Sequence, residues 1–166
     1  GTDNIPVAKL SARGVPVFNA PGANANAVNE LVLTALLLAS RNLVPALKFV
    51  SEMPDSDDKS LHALIKEKKK LFAGSELPNH TLGIIGLGAI GSLVAETALK
   101  LDMKIIGYDP EITVEGAWRL PSQIKKAESV EEVIKSADFI SLHIPLVEKT
   151  KHIINAERIN QMRNHV

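Results

Sequence analysis

Three glycines and one aspartate carry the spacing with the clearest chemical meaning in this 166-residue chain. Gly86, Gly88 and Gly91 follow the pattern G-x-G-x-x-G, and Asp109 comes 23 positions after the first of them. In a dinucleotide site, the first glycine permits a tight turn, the second lets the backbone approach a pyrophosphate, and the third lets a helix pack against a strand. These residues therefore predict a dinucleotide-binding turn.

The carboxylate of Asp109 also predicts which dinucleotide binds. It would accept hydrogen bonds from both hydroxyls of the adenosine ribose, and its charge would repel a 2′-phosphate. The favoured cofactor is therefore NAD rather than NADP. The alternative is a solvated acid in the Tyr108-Asp109-Pro110 turn.

Apolar runs flank the glycines in the order that such a turn requires. Residues 82–85 form an apolar strand before the turn, and residues 103–108 form a second one that ends at Asp109. Between them, apolar residues at helical spacing predict a helix that begins near Ala89. A lone G-x-G-x-x-G is weak evidence because glycines recur in many turns, but the strand, helix and strand around it make it specific. The pyrophosphate would meet the N–H groups of that helix N-terminus.

A long helix is predicted over residues 25–50, with Asn24 at its N-cap. Its first half is apolar on nearly every face, so we expect it to be buried on both sides. Pro45 predicts a kink or break near residues 42–44. The other predicted elements are a strand at 15–19, a helix over 61–72 capped by Asp58 or Ser60 and ended by Gly74, a strand at 117–120, a helix at 130–137, a strand at 139–144 and a helix at 155–162 capped by Asn155.

The alternation of short apolar strands and helices predicts an α/β fold, a Rossmann-type doubly wound parallel sheet. The strands near residues 82–85, 103–108 and 117–120 would form one complete mononucleotide half. The strand at 139–144 would begin the second half, so both ends look cut and the domain is expected to be truncated.

His143 is another residue in a suggestive position, at the end of a predicted strand. No orienting carboxylate accompanies it, so a structural histidine is favoured over an acid–base group. The chain contains no H-E-x-x-H spacing and no G-x-S-x-G turn, so neither a metal site nor a serine nucleophile is expected. The basic run at residues 66–70 is interpreted as a solvated face, with a phosphate-facing patch as the alternative. Trp118 is expected to pack over the sheet edge rather than to contact a ligand.

The composition is that of an ordinary globular domain, with 45% hydrophobic and 23% charged residues. Nineteen Lys and Arg residues balance 19 Asp and Glu residues, which argues against a dedicated nucleic-acid or anionic-membrane surface. The absence of cysteine excludes disulfides and agrees with a cytoplasmic enzyme. Neither a signal peptide nor a membrane-spanning segment is predicted.

The chain resembles the D-isomer-specific 2-hydroxyacid dehydrogenase family along essentially its whole length. The matching motifs are G-x-D-N at residues 1–4, N-x-P-G…N…V-x-E at 19–30, L-G-I-I-G-L-G-x-I-G at 82–91, Y-D-P at 108–110 and S-D-x-I-S-L-H-x-P-L…T at 136–150. Asn29 departs from the family pattern, since a small residue usually precedes Glu30.

The resemblance implies roles for further residues. Backbone groups of Ala89 and Ile90 would contact the pyrophosphate, Ile144 and Pro145 would line the adenine ribose, and Asn24 would lie on the substrate side of the cleft. Residues 1–22 would be an interdomain or edge segment, residues 23–80 the crossing and dimerisation helices, and residues 81–166 the Rossmann core. A homodimer or higher homo-oligomer through the cofactor domain is implied as well.

Within the family, PGANANAVNELV and GAWRL are most similar to members that oxidise D-3-phosphoglycerate to 3-phosphohydroxypyruvate with NAD, the first step towards serine. Lactate, glyoxylate and hydroxypyruvate enzymes share most of the motifs and remain alternatives, as does a non-catalytic NAD-binding or dimerisation module. The family's catalytic arginine, acidic residue and histidine match no residue of this chain. The resemblance therefore predicts no catalytic residue here and no turnover by these residues alone.

Overall fold

The computed structural model describes residues 4–55 and 57–166. The first three residues of the G-x-D-N motif therefore lie outside the described part of the chain. The helices are α1 (Val7–Ala12), α2 (Ala25–Ser40), α3 (Leu43–Ser51), α4 (Asp58–Lys68), α5 (Ala89–Leu99), α6 (Val114–Arg119), α7 (Val130–Ser136) and α8 (Ala156–Ile159). A 3-10 turn (Lys69–Phe72) follows α4.

Four parallel strands form one sheet in the order β3-β2-β1-β4. They are β1 (Thr81–Ile85), β2 (Lys104–Tyr108), β3 (Lys125–Lys126) and β4 (Phe139–Leu142). This order equals the first four positions of the 3-2-1-4-5-6 arrangement of dinucleotide-binding sheets. The first three strands make one mononucleotide half and β4 starts the second, so the predicted fold class is confirmed.

Both faces of the sheet are apolar and covered by helices. On one face, Leu82, Ile84 and Ile105 pack with residues of α5 and with Leu36 of α2. On the other, Ile85 and Ile106 pack against α7. Strands buried on two faces need continuous apolar runs, and such runs are the reason that the sequence predicts β1 and β2.

Helix α2 packs against α5 on one side only. Leu31 is 69% exposed and Leu37 is 41% exposed on its other side. The expectation that this helix is buried on both sides is therefore wrong for the described chain. The outward apolar surface continues onto α3, where Val44, Leu47 and Val50 are each more than 60% exposed.

A sharp bend separates α2 from α3, as Pro45 predicted. The two helices meet at 71°, and Asn42 at the break adopts a left-handed conformation with φ +50°. No single helix among the described residues is long and apolar enough to cross a membrane, although this bent pair has the required length and composition.

Two strands predicted from the sequence are absent from the described structure. Residues 117–120 belong mostly to α6, which begins because the Thr113 hydroxyl accepts a hydrogen bond from the Gly116 N–H at 3.0 Å. The third strand is instead β3, which has two residues. Residues 15–19 form no strand. Trp118 is 85% exposed and does not pack over the sheet edge.

Helix ends also differ from the prediction in detail. Asp57, not Asp58 or Ser60, caps α4, since its carboxylate accepts hydrogen bonds from the N–H groups of Lys59 and Ser60. Asn24 stands at the N-cap position of α2 without a capping side-chain bond. Gly74 was predicted to end a helix, but the structure requires glycine there for close packing. A Cβ on Gly74 would lie 2.2 Å from the Ser40 carbonyl oxygen.

Asn29 of α2 is a buried polar residue whose Oδ1 has no hydrogen-bond partner in the part of the chain that the structure describes. Asn29→Ala is expected to raise the free energy of unfolding by about 1 kcal/mol, because an unsatisfied buried carbonyl costs more than the small lost contact area. Urea denaturation measures the change. Asn26→Ala, which removes an exposed amide on the same helix, is the control and should change stability little. A clear loss of stability in Asn29→Ala would contradict the prediction.

Asp138 joins the amino ends of β1 and β4. Its Oδ2 accepts a hydrogen bond from the Thr81 N–H at 2.8 Å, and its own N–H donates to the Thr81 carbonyl at 2.8 Å. Oδ1 accepts from Arg163 at 2.7 Å and contacts Nε2 of His165 at 3.1 Å. Burial raises the pKa of this carboxyl, but the hydrogen bonds from Thr81, His165 and Arg163 and the Arg163 charge outweigh it and lower the pKa to about 2.

Because the pKa of Asp138 is lower in the folded chain than its ordinary value of 3.8, its contribution is present above that ordinary value and is lost as the pH falls towards about 2. Asp138→Asn is expected to destabilise the fold by about 2 kcal/mol near neutral pH. The free energy of unfolding of this variant should also depend less on pH below about pH 5 than that of the parent chain. Thermal unfolding across this pH range measures both effects. The exposed Asp55→Asn is the control, and an unchanged acid profile in Asp138→Asn would contradict the assignment.

Candidate functional site

The glycine turn begins at Gly86, which directly follows β1. Its N–H donates to the Tyr108 carbonyl at 2.9 Å, so the turn is still tied to β2. The residue has φ +94°, and a Cβ there would lie 2.6 Å from the carbonyl oxygen of His143. Both its conformation and its contact with the end of β4 therefore require glycine.

Gly88 and Gly91 differ in what surrounds them. A Cβ on Gly91 would lie 1.9 Å from the Gly86 carbonyl oxygen, so this glycine lets α5 pack onto the turn. A Cβ on Gly88 would meet no atom of the described residues within 4 Å. Gly88 is the N-cap of α5 and provides no side-chain cap. The N-terminus of α5, whose first N–H groups have no partner within the helix, thus faces open space of the kind a phosphate group fills.

Asp109 follows β2 and reaches back to the glycine turn. Its Oδ2 accepts a hydrogen bond from the Leu87 N–H at 2.8 Å, and its Oδ1 accepts from the Glu111 N–H at 2.9 Å. A carboxylate has about four acceptor positions, so both oxygens can still accept from a ribose hydroxyl. The carboxylate therefore also fixes the turn, a role that the sequence motif did not predict.

Ala89 and Ile90 form the first turn of α5, beside the chain segment that carries Asn24. A Cβ on Gly22 would lie 3.4 Å from the Cβ of Ala89, which puts the Pro21-Gly22 turn in contact with the start of α5. The side chain of Asn24 is exposed at the head of α2. The structure thus brings the predicted substrate-side segment to the glycine turn.

Ile144 and Pro145 follow β4 at the same edge of the sheet. Ile144 is half-buried and packs with the core around Ile85, and its Cγ2 would lie 2.8 Å from a Cβ on Gly86. Pro145 is exposed, and its carbonyl accepts a hydrogen bond from Thr150 Oγ1. Loops after β1, β2 and β4 therefore meet at the carboxyl edge, where ligands of such sheets bind.

His143 has a hydroxyl rather than a carboxylate as its neighbour. Its Nε2 lies 2.9 Å from Ser141 Oγ, and burial lowers the pKa of its ring. This agrees with the absence of an orienting acid in the sequence. No group of three or more potential metal ligands occurs among the described residues.

Two contributors to the site were missed by the sequence analysis. The Leu87 N–H is held by Asp109, and Ser92 Oγ lies 2.8 Å from the Leu87 carbonyl and 2.7 Å from the Gly88 carbonyl. A serine near the start of a helix signals such a bond, because its hydroxyl reaches the carbonyl four residues before it. The backbone contact of Leu87 has no sequence signal, because it depends on the fold alone.

Comparison with known proteins identifies a matching domain. The family domain described as "D-isomer specific 2-hydroxyacid dehydrogenase, NAD binding domain" matches residues 34–166. The hydroxypyruvate reductase of Thermotoga maritima is 40% identical over 166 residues, which cover 100% of this chain and 48% of that protein. The D-3-phosphoglycerate dehydrogenase of Methanocaldococcus jannaschii is 38% identical over 165 residues, which cover 99% of this chain and 29% of that protein.

A solved structure shares the fold. The D-lactate dehydrogenase from Aquifex aeolicus, complexed with NAD and lactic acid, matches with a TM-score of 0.74 and 28% identity. The match covers 99% of this chain and 45% of that one. The chain therefore spans about half, or less, of the length of the relatives it matches.

Proposed function

The chain belongs to the D-isomer-specific 2-hydroxyacid dehydrogenase family and carries its NAD-binding domain. We therefore propose that it is part of an enzyme that oxidises D-3-phosphoglycerate to 3-phosphohydroxypyruvate. NAD supplies the hydride acceptor when it is bound. The described residues would bind and orient NAD without turning over substrate by themselves.

The observation that carries the NAD-binding part of this proposal is the open space at Gly88, next to Leu87, whose N–H donates to the carboxylate of Asp109. Backbone N–H groups of Ala89 and Ile90 would hold the pyrophosphate, where the helix dipole also favours an anion. Asp109 would bind the ribose hydroxyls with its remaining lone pairs. Ile144 and Pro145 would flank that ribose.

Calorimetric titration of the chain with NADH tests the cofactor site directly. Binding in the micromolar to millimolar range is expected. The absence of both heat and a thermal shift at millimolar NADH would contradict it.

The proposed substrate is inferred from sequence similarity, and this similarity also supports a second candidate substrate, hydroxypyruvate. Similarity to the Methanocaldococcus jannaschii enzyme favours D-3-phosphoglycerate, whereas the 40% identity to a hydroxypyruvate reductase favours hydroxypyruvate. Steady-state rates of the full gene product with D-3-phosphoglycerate, hydroxypyruvate, glyoxylate and D-lactate separate these reactions. Lack of any activity in that product would instead support a non-catalytic NAD-binding module.

We further propose that residues 23–80 form crossing and dimerisation helices, between an interdomain or edge segment at 1–22 and the Rossmann core at 81–166. The support is the outward apolar face of α2 and α3 described above, since an apolar patch of this kind marks an interaction site. The occupant we propose is a second copy of this chain.

The double variant Leu31→Glu/Leu47→Glu is expected to convert a dimer to a monomer, because it places four charges across a paired apolar surface. Sedimentation equilibrium measures the mass. Val114→Glu, on the exposed face of α6, is the matched control and should stay dimeric. A monomeric parent chain, or a double variant that remains dimeric, would contradict the proposed interface.

A further inference from the structure

Ser141 and His143 lie on the same face of the chain at the carboxyl end of β4, because residues two apart in a strand point the same way. The ring of His143 is half-buried, and its Nε2 lies 2.9 Å from Ser141 Oγ. That hydroxyl is the one hydrogen-bond partner of the ring among the described residues. The pair therefore fixes the orientation of the imidazole.

The backbone of His143 lies in close contact with the first glycine of the turn, Gly86. Its N–H donates to the Ile85 carbonyl at 2.8 Å, which adds one more rung to the ladder between β4 and β1. Its carbonyl oxygen and carbon lie 2.6 Å and 2.8 Å from where a Cβ on Gly86 would stand. A shift of this residue is thus transmitted to Gly86, and from Gly86 to Gly91, which packs directly on it.

We propose that His143, oriented by Ser141, is a positioning residue that holds the glycine turn in the arrangement that binds NADH, and that protonation of its ring weakens this binding. The proposal rests on the proposed function of the turn. It assigns no contact between the ring and the reacting atoms.

Among residues 4–55 and 57–166, no charged side chain forms an ion pair with the His143 ring. The adjoining residues of β1 and the turn, Ile85 and Gly86, carry no titratable group. Asp109 lies two strands away at the same edge, at about 10 Å by the spacing of parallel strands, and its oxygens are bound to Leu87 and Glu111.

Three further titratable groups, His80, Asp138 and His165, line a cavity of about 840 Å³ beside β4 that Ser141 also lines. They lie towards the amino end of the strands, since Asp138 pairs with His165 and with Thr81 at the start of β1. Asp138 is five residues before His143, or about 16 Å along an extended strand. A charged imidazole would therefore be drawn towards water, and the end of β4 would move away from Gly86.

The test is the dissociation constant of NADH measured by calorimetry from about pH 8 to about pH 5, because histidine ordinarily titrates near pH 6.5 and burial lowers the pKa of this ring. The parent chain is expected to lose affinity about fivefold or more. His143→Gln, which keeps a hydrogen-bonding group that cannot be protonated, should show NADH affinity that does not change over this pH range. Ser141→Ala should bind NADH more weakly at high pH, because the ring loses its partner.

His62→Gln is the control, since His62 is exposed on α4 and its Nδ1 lies 3.0 Å from the Asp58 carbonyl oxygen of its own helix. It should keep the pH profile of the parent. Thermal unfolding at each pH checks that every variant is folded. A flat profile in the parent chain, or an unchanged slope in His143→Gln, would overturn the proposal while leaving NAD binding intact. Failure of the parent to bind NADH at high pH would overturn the proposed function as well.

A second measurement avoids the variants. By linkage, NADH must raise the acid dissociation constant of the His143 ring by the same factor by which protonation weakens binding, so its pKa falls by the logarithm of that factor. Titration of the histidine ring signals by NMR, with and without NADH, measures this change. A pKa of His143 that does not fall on NADH binding would contradict the proposal.

Discussion

Gly88→Ala is expected to reduce the affinity for NADH by about 100-fold, which corresponds to about 2.7 kcal/mol, while the chain unfolds at nearly the same temperature. The added methyl group lies more than 4 Å from every atom that the structure describes outside its immediate chain neighbours. Gly88 has φ −69°, which alanine adopts without strain. The methyl group should therefore clash only with a ligand that fills this open space, which we propose is the pyrophosphate of the cofactor.

Gly91→Ala provides the contrast to this variant. Its Cβ would lie 1.9 Å from the Gly86 carbonyl oxygen, so the turn and α5 must separate and the unfolding temperature must fall. Calorimetry with NADH and thermal unfolding on both variants distinguish a blocked site from a damaged fold. Unchanged NADH affinity in a folded Gly88→Ala would exclude the pyrophosphate from this position.

Asp109→Asn is expected to weaken NADH binding by about tenfold and to remove most of the discrimination against NADPH. The variant removes the charge that repels a 2′-phosphate, and it weakens the hydrogen bonds from the ribose hydroxyls. The amide oxygen can still accept from the Leu87 N–H, as the carboxylate does at 2.8 Å, whereas the exposed Glu111 N–H loses its acceptor to the amide NH2 group. The fold should therefore tolerate this change.

Asp109→Ala separates the two roles of the residue. It removes the acceptor for both Leu87 and Glu111, so it should lower the unfolding temperature and weaken NADH binding more than Asp109→Asn does. Dissociation constants for NADH and NADPH on both variants measure the effect. An unchanged ratio of the two constants in Asp109→Asn would show that its charge does not select the cofactor.

The fold could be predicted where local sequence and tertiary burial agree. Residues 82–85 and 103–108 are continuous apolar runs because both faces of β1 and β2 are covered. The third strand was misplaced because β3 has only two residues, both exposed lysines, and carries no apolar pattern. The segment around Trp118 was assigned to a strand because its helix depends on a cap at Thr113 and exposes its largest side chain.

The candidate site could be predicted from its glycines and its acid, since their backbone requirements are specific to a strand-to-helix turn. The second role of Asp109 and the contact of His143 with Gly86 could not be predicted, because they join residues from different strands. Such contacts depend on which strands are neighbours, and the order β2-β1-β4 is a property of the folded sheet.

The two hydrogen bonds between Thr81 and Asp138 also specify the register of the sheet. Leu82 pairs with Phe139 in the observed alignment. A slip of β4 by one residue would break both bonds of Thr81 together. It would also turn Ile140 away from the α7 face and leave the Asp138 carboxylate buried without its backbone donor. Asp138 thus selects the register of β1 and β4, because the observed pairing of these two apolar strands is much more stable than pairings shifted by one residue.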